Sequence, residues 1–115
     1  MKKTAVFAFN GNLTCFAHAL LNVLDLHAKG YVSTLVIEGA SCKLLKELNT
    51  EGTPFHAQYR QVIEKDLLSC VCKACCAKLG SLEEAKNQGL PLGADMAGHP
   101  SMERYIREGF DIITV

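Results

Sequence analysis

Short apolar runs alternate with segments of helical period along this chain, and that alternation limits the fold more than any single residue does. Thr4 to Phe9 is short, apolar and closed by Asn10-Gly11-Asn12, as a buried strand is. From Thr14 the period changes: Phe16, Leu20, Val23, Leu24 and His27 fall on one helical face, with Thr14 as the expected N-cap and Gly30 as the stop. Tyr31 to Glu38 reads as a second strand, too continuously apolar for a surface position. Ser41 is expected to cap a helix running to Leu48, and Phe55, Tyr59, Val62 and Ile63 mark the next helix. Leu67 to Cys72 reads as a third buried strand, followed by short helices over Ala74 to Leu79 and from Ser81 to near Gly89. Leu90 to Met96, a helix over Ser101 to Glu108 and a last strand over Phe110 to Val115 complete the pattern.

Strands that alternate with helices across short connections predict an α/β fold, a three-layer α/β/α sandwich around a largely parallel five-stranded sheet. Helices are expected on both faces. No repeat, linker or low-complexity segment interrupts the pattern, so residues 1–115 read as a single domain.

Composition removes several functions. Hydrophobic residues make up 49% of the chain and charged residues 21%, a balance that folds. Lys plus Arg and Asp plus Glu each number 12, for a formal net charge of zero, which argues against a nucleic-acid or anionic-membrane partner. There is no Trp to build a stacking platform for single strands. The apolar run after Met1-Lys2-Lys3 stops at Asn10, too soon for a secretory h-region, and no stretch reaches membrane-span length. The expected location is the cytoplasm, with reduced thiols.

Six cysteines in 115 residues then require an explanation. In open α/β sheets, ligands bind beyond the carboxyl ends of the strands. Cys15 follows the first predicted strand, Cys42 the second, and Cys72, Cys75 and Cys76 end or follow the third. Helix starts carry N–H groups and partial positive charge, so a thiol at such a start, with Lys73 beside it, is expected to have a lowered pKa. Cys70 lies within the strand, on the face expected for Cys72, and reads as a small buried hydrophobe. Cys72-Lys73-Ala74-Cys75 is a C-x-x-C element, which serves either a dithiol–disulfide switch, with Cys72 attacking and Cys75 resolving, or half of a thiolate metal site. No second pair follows, and His99 is the sole downstream candidate ligand, so no metal is assigned from the sequence. Asp95 and His99 precede the last helix on the same predicted edge, placed either to orient a thiol or to tie the loop down.

Ile37-Glu38-Gly39-Ala40-Ser41-Cys42-Lys43-Leu44-Leu45 resembles the second βα junction of the DsrE-like sulfur-relay proteins. Cys72 with Gly80 resembles their cysteine loop. Ala94 to Ser101, Tyr105-Ile106, Glu108-Gly109-Phe110 and Ile113-Thr114-Val115 resemble their last helix and strand. The resemblance implies a persulfide-carrying, sulfurtransferase-like cysteine, which falls on Cys72. It also implies homo-oligomers, a sulfur donor or acceptor protein as partner, and no cofactor. The extra thiols Cys75 and Cys76 depart from that pattern and leave two alternatives open: a thiol–disulfide protein using Cys72 and Cys75, or a module binding a metal or small ligand.

Overall fold

The apolar runs do pair into one sheet. The structure, a computed structural model, describes residues 2–115, so Met1 of the expected domain and of the N-terminal signal reading lies outside the described residues. The strands are β1 (Lys3–Ala8), β2 (Val32–Ile37), β3 (Leu68–Cys72), β4 (Leu92–Gly93) and β5 (Asp111–Thr114), and the helices α1 (Leu13–Ala28), α2 (Leu45–Leu48), α3 (His56–Glu64), α4 (Lys73–Leu79), α5 (Leu82–Asn87) and α6 (Met102–Arg107). A 3-10 turn, Gly39–Leu44, leads into α2. The five strands lie in the order β4-β3-β2-β1-β5 with every pairing parallel.

Alternation along the strands divides the core in two. On one face Val6, Ala8, Leu35, Ile37 and Val71 pack against residues of α1 to α5, among them Phe16, Leu48, Tyr59, Cys76 and Ala85. On the other, Ala5, Phe7, Val36 and Cys70 pack beneath Tyr105 of α6. The three-layer α/β arrangement therefore holds, with unequal layers: five helices cover one face and α6 covers the other.

Several local expectations give way to better hydrogen bonds. Helix α1 begins two residues earlier than Thr14 implies, because Asn12 Oδ1 accepts the Cys15 N–H at 3.1 Å. Ser41 caps nothing; its buried hydroxyl lies 2.7 Å from the carbonyls of both Ala8 and Glu38 and ties the end of β1 to the end of β2. The Glu38 carboxylate takes the capping role, accepting the Gly39 N–H at 3.2 Å. The strand expected over Leu90 to Met96 shrinks to Leu92 and Gly93.

Cys70 and Cys72 do not share a packing environment. The register shifts between Leu35 and Val36, whose partners are Leu68 and Cys70, so Ser69 bulges out. Cys70 then packs under Tyr105. Cys72, the last strand residue, leaves the pleat to cap α4 and joins the larger cluster.

Candidate thiol site at the carboxyl edge of the sheet

Three chain segments meet where β2 and β3 end. The first is Glu38, the residue after β2, buried as the chain turns through Gly39 at φ +54. The second is the junction of β3 and α4, where Cys72 occupies the N-cap and Cys75 lies one helical turn later. The third is the loop between β4 and α6, which carries His99. That loop folds on itself through paired Met96 and His99 backbone bonds at 2.8 and 2.9 Å. It is clamped to the start of α4 by the Ala74 N–H donating to the Gly98 carbonyl at 2.9 Å. Gly98 meets that geometry because its φ of +91 is open to glycine, and a Cβ there would sit 3.2 Å from the Ala74 methyl.

The outcome is a cluster of two thiols, an imidazole and a carboxylate whose donor atoms all lie within 4.8 Å of one another. Cys72 Sγ is 3.1 Å from His99 Nδ1 and accepts the Cys75 N–H at 3.4 Å. The Cys75 thiol donates to Glu38 Oε1 at 3.5 Å and lies 3.8 Å from His99 Nδ1. The same imidazole nitrogen is 3.9 Å from Glu38 Oε1. Exposure differs sharply within the cluster: Cys72 is 0% exposed and Cys75 is half-buried, while the His99 side chain is 40% exposed. Cys75 also lines a cleft of about 250 Å³ with Gly39, Ala40, Lys78 and Leu79.

The expectation of a lowered Cys72 pKa is overturned. The Cys75 N–H does favour the thiolate, as the helix-start argument requires, but burial outweighs it, and the Cys75 thiol and the Glu38 carboxylate push the same way as burial. Cys72 is held above the ordinary thiol range.

The remaining candidates sort by distance from this cluster. Cys42 and Cys76 are buried behind it as a pair. The contact between the Cys42 thiol and Cys76 raises Cys42, where burial adds to it, and lowers Cys76, where burial opposes it. Cys42 also lies 4.0 Å from the Cys72 carbonyl, so the pair braces the cluster from the core side. Cys15 lies in the first turn of α1 and is exposed, outside the cluster. It sits by β1, where the strand order reverses, whereas the thiol cluster forms at the ends of β2 and β3. Asp95 is also outside: it accepts the Ser101 N–H at 2.9 Å and ties the loop to α6.

No protein-family model matches the chain. The uncharacterized protein MJ0733 of Methanocaldococcus jannaschii is 31% identical over 102 residues, which is 89% of this chain and 81% of that protein. The chain belongs to the MJ0733 family. The match covers most of both chains rather than one short motif. Two uncharacterized proteins of Archaeoglobus fulgidus match shorter stretches, one 45% identical over 38 residues and the other 40% identical over 35. These are 33% and 30% of this chain, and 62% and 95% of those proteins.

Glu38 is the member that reading the cysteines missed. Its signal was present: an acidic residue directly after a buried apolar strand, at the edge where ligands bind, is costly unless it has a partner there. Its neighbours Ile37 and Gly39 made it look like part of a turn.

Proposed function

We propose that the protein relays sulfane sulfur through the Cys72–Cys75 thiol pair. The observation that carries this reading is the placement of an inner thiol, an outer thiol and an imidazole around one point at the sheet edge, with the outer thiol opening onto a cleft. The resemblance to DsrE-like proteins supports it. Exposure sets the order of contact within the pair, since Cys75 rather than buried Cys72 is the one an incoming donor meets. The Cys75 thiolate attacks the outer sulfur of a donor persulfide, releasing the donor thiolate and leaving a Cys75 persulfide. Cys72 then attacks that outer sulfur, regenerating the Cys75 thiolate and holding the sulfur in the buried position. His99 Nδ1 takes the Cys72 proton as the new bond forms, and the Glu38 carboxylate stabilises the resulting imidazolium.

Attack by Cys72 on the inner sulfur instead releases hydrosulfide and closes a Cys72–Cys75 disulfide. The i,i+3 spacing across the N-cap favours this as the second reading, a thiol–disulfide protein. Mass spectrometry of the reduced protein after exposure to a low-molecular-weight persulfide separates the two. Gain of one sulfur atom supports the relay, and loss of two hydrogens supports the switch.

The setting is part of the same proposal. Six free thiols support a reducing, cytoplasmic location, and among the described residues no helix is long and apolar enough to cross a membrane. A partner protein supplies or accepts the sulfur, and the resemblance favours a homo-oligomer. Light scattering at micromolar concentration is expected to give a mass above that of one chain; a monomer contradicts this.

A further inference from the structure

Zinc ligands are thiolates, imidazoles and carboxylates brought from separate chain segments around one point. Here a single nitrogen, His99 Nδ1, faces Cys72 Sγ at 3.1 Å, Cys75 Sγ at 3.8 Å and Glu38 Oε1 at 3.9 Å. Donor atoms of four side chains gathered this closely match the arrangement of ligands around a cation.

The spacing fits. Metal–ligand distances of about 2.0 to 2.3 Å at tetrahedral angles place neighbouring donor atoms about 3.3 to 3.8 Å apart. The separations of 3.1, 3.5, 3.8 and 3.9 Å straddle that range, and every donor pair falls within 4.8 Å. An independent observation concerns charge. Glu38 is buried, and among the described residues the ion-pair contact of its carboxylate is with His99, a group charged only when protonated. A bound cation offsets this buried carboxylate, whereas the imidazole does so only while protonated, a state in which it ligates no metal.

Supporting contacts are also in place. Cys72 Sγ receives the Cys75 N–H, and Glu38 Oε1 receives the Gly39 N–H, so two of the four ligands are already oriented by backbone donors. The loop carrying His99 is held by the clamp between Ala74 and Gly98. We propose that Glu38, Cys72, Cys75 and His99 bind one thiophilic divalent cation, zinc in particular, as a four-coordinate centre at the carboxyl ends of β2 and β3. Two thiolates and an imidazole select zinc over magnesium or calcium, which take oxygen ligands. Binding displaces one proton from each thiol into solvent.

This inference does not depend on the sulfur-relay reading, but it uses the same two sulfur atoms, so cation and persulfide compete. The test is titration of the reduced, chelator-treated full chain with cobalt(II), followed by displacement with zinc. One equivalent of cobalt is expected to give thiolate-to-metal charge-transfer absorption and the strong visible bands of a tetrahedral site, both removed by zinc. Cys75→Ser and His99→Ala are each expected to weaken zinc binding at least about 100-fold, beyond the 10- to 100-fold usual for losing a residue that only supports a ligand. Cys15→Ser is expected to leave it unchanged. Cys75 and His99 are partly exposed, and Glu38→Gln supplies a third reading with side-chain size kept; circular dichroism confirms that each variant is folded. Absence of the charge-transfer band, or wild-type affinity in folded Cys75→Ser and His99→Ala proteins, overturns the site. Cobalt binding without persulfide loading upholds the cation site while removing the relay. Persulfide loading at the pair without cobalt binding does the reverse.

Discussion

At the scale of single residues, burial decides which thiol a reagent meets. Cys15 is exposed and Cys75 half-buried, whereas Cys42, Cys72 and Cys76 are shielded, and Cys72 is further held in its protonated form. Rate-resolved iodoacetamide labelling near neutral pH is therefore expected to modify Cys15 first, Cys75 next and Cys72 slowly; Cys72 reacting ahead of Cys15 contradicts the burial account. The thiol pair and His99 were legible in the sequence because C-x-x-C at a strand-to-helix junction has few other uses, and strand ends are where α/β folds place ligands. Two things were not legible. The direction of the Cys72 shift depends on how much burial and the Glu38 charge outweigh one N–H bond, a balance between residues 34 positions apart (72 − 38). Cys42 pairing with Cys76 is likewise a contact between elements, which local spacing does not encode.

Elements fix the site by holding their ends together, and the loop between β4 and α6 is the sensitive one. Gly98→Ala imposes a left-handed φ on a residue with a Cβ and presses that carbon against Ala74. A cost of about 1–3 kcal/mol is expected, read as a lowered melting temperature; an unchanged melt contradicts the clamp. Element order and type were readable from the alternation of periods, since apolar runs such as Thr4 to Phe9 and the face of Phe16, Leu20 and Val23 each suit one structure. Boundaries were less so. Thr14 and Ser41 satisfy the composition rule for a helix cap, yet Asn12 and Glu38 reach the free N–H groups. Strand β4 is short because only Leu92 and Gly93 run beside Val71 and Cys72, and the apolar content of Leu90 to Met96 does not reveal that.

For the molecule as a whole, the unequal layers make α6 the weak point of one face, and Tyr105 is its anchor. The ring packs edge-on against Phe7 at 5.3 Å, and its hydroxyl lies 2.6 Å from Ser69 Oγ. Burial pushes Tyr105 up to about 12, against about 10 for an unperturbed phenol. A raised acid pKa contributes stability that is complete below the unfolded value and is lost as pH climbs through the folded one. Urea midpoints are thus expected to fall between about pH 10 and about pH 12, and to fall less in Tyr105→Phe; an equal fall in both contradicts this role. The cluster of Cys72, Cys75, His99 and Glu38 is what the fold assembles at its carboxyl edge, and sulfur transfer from Cys75 to Cys72 is the central proposal built on it. Peptide-mapped mass spectrometry after loading with a persulfide donor measures it directly. One added sulfur on Cys72 in the wild type, on Cys75 in Cys72→Ser, and on neither position in the double variant is the expected result. An added sulfur on Cys15 with none on Cys72 or Cys75, or equal loading of Cys72→Ser/Cys75→Ser, contradicts it.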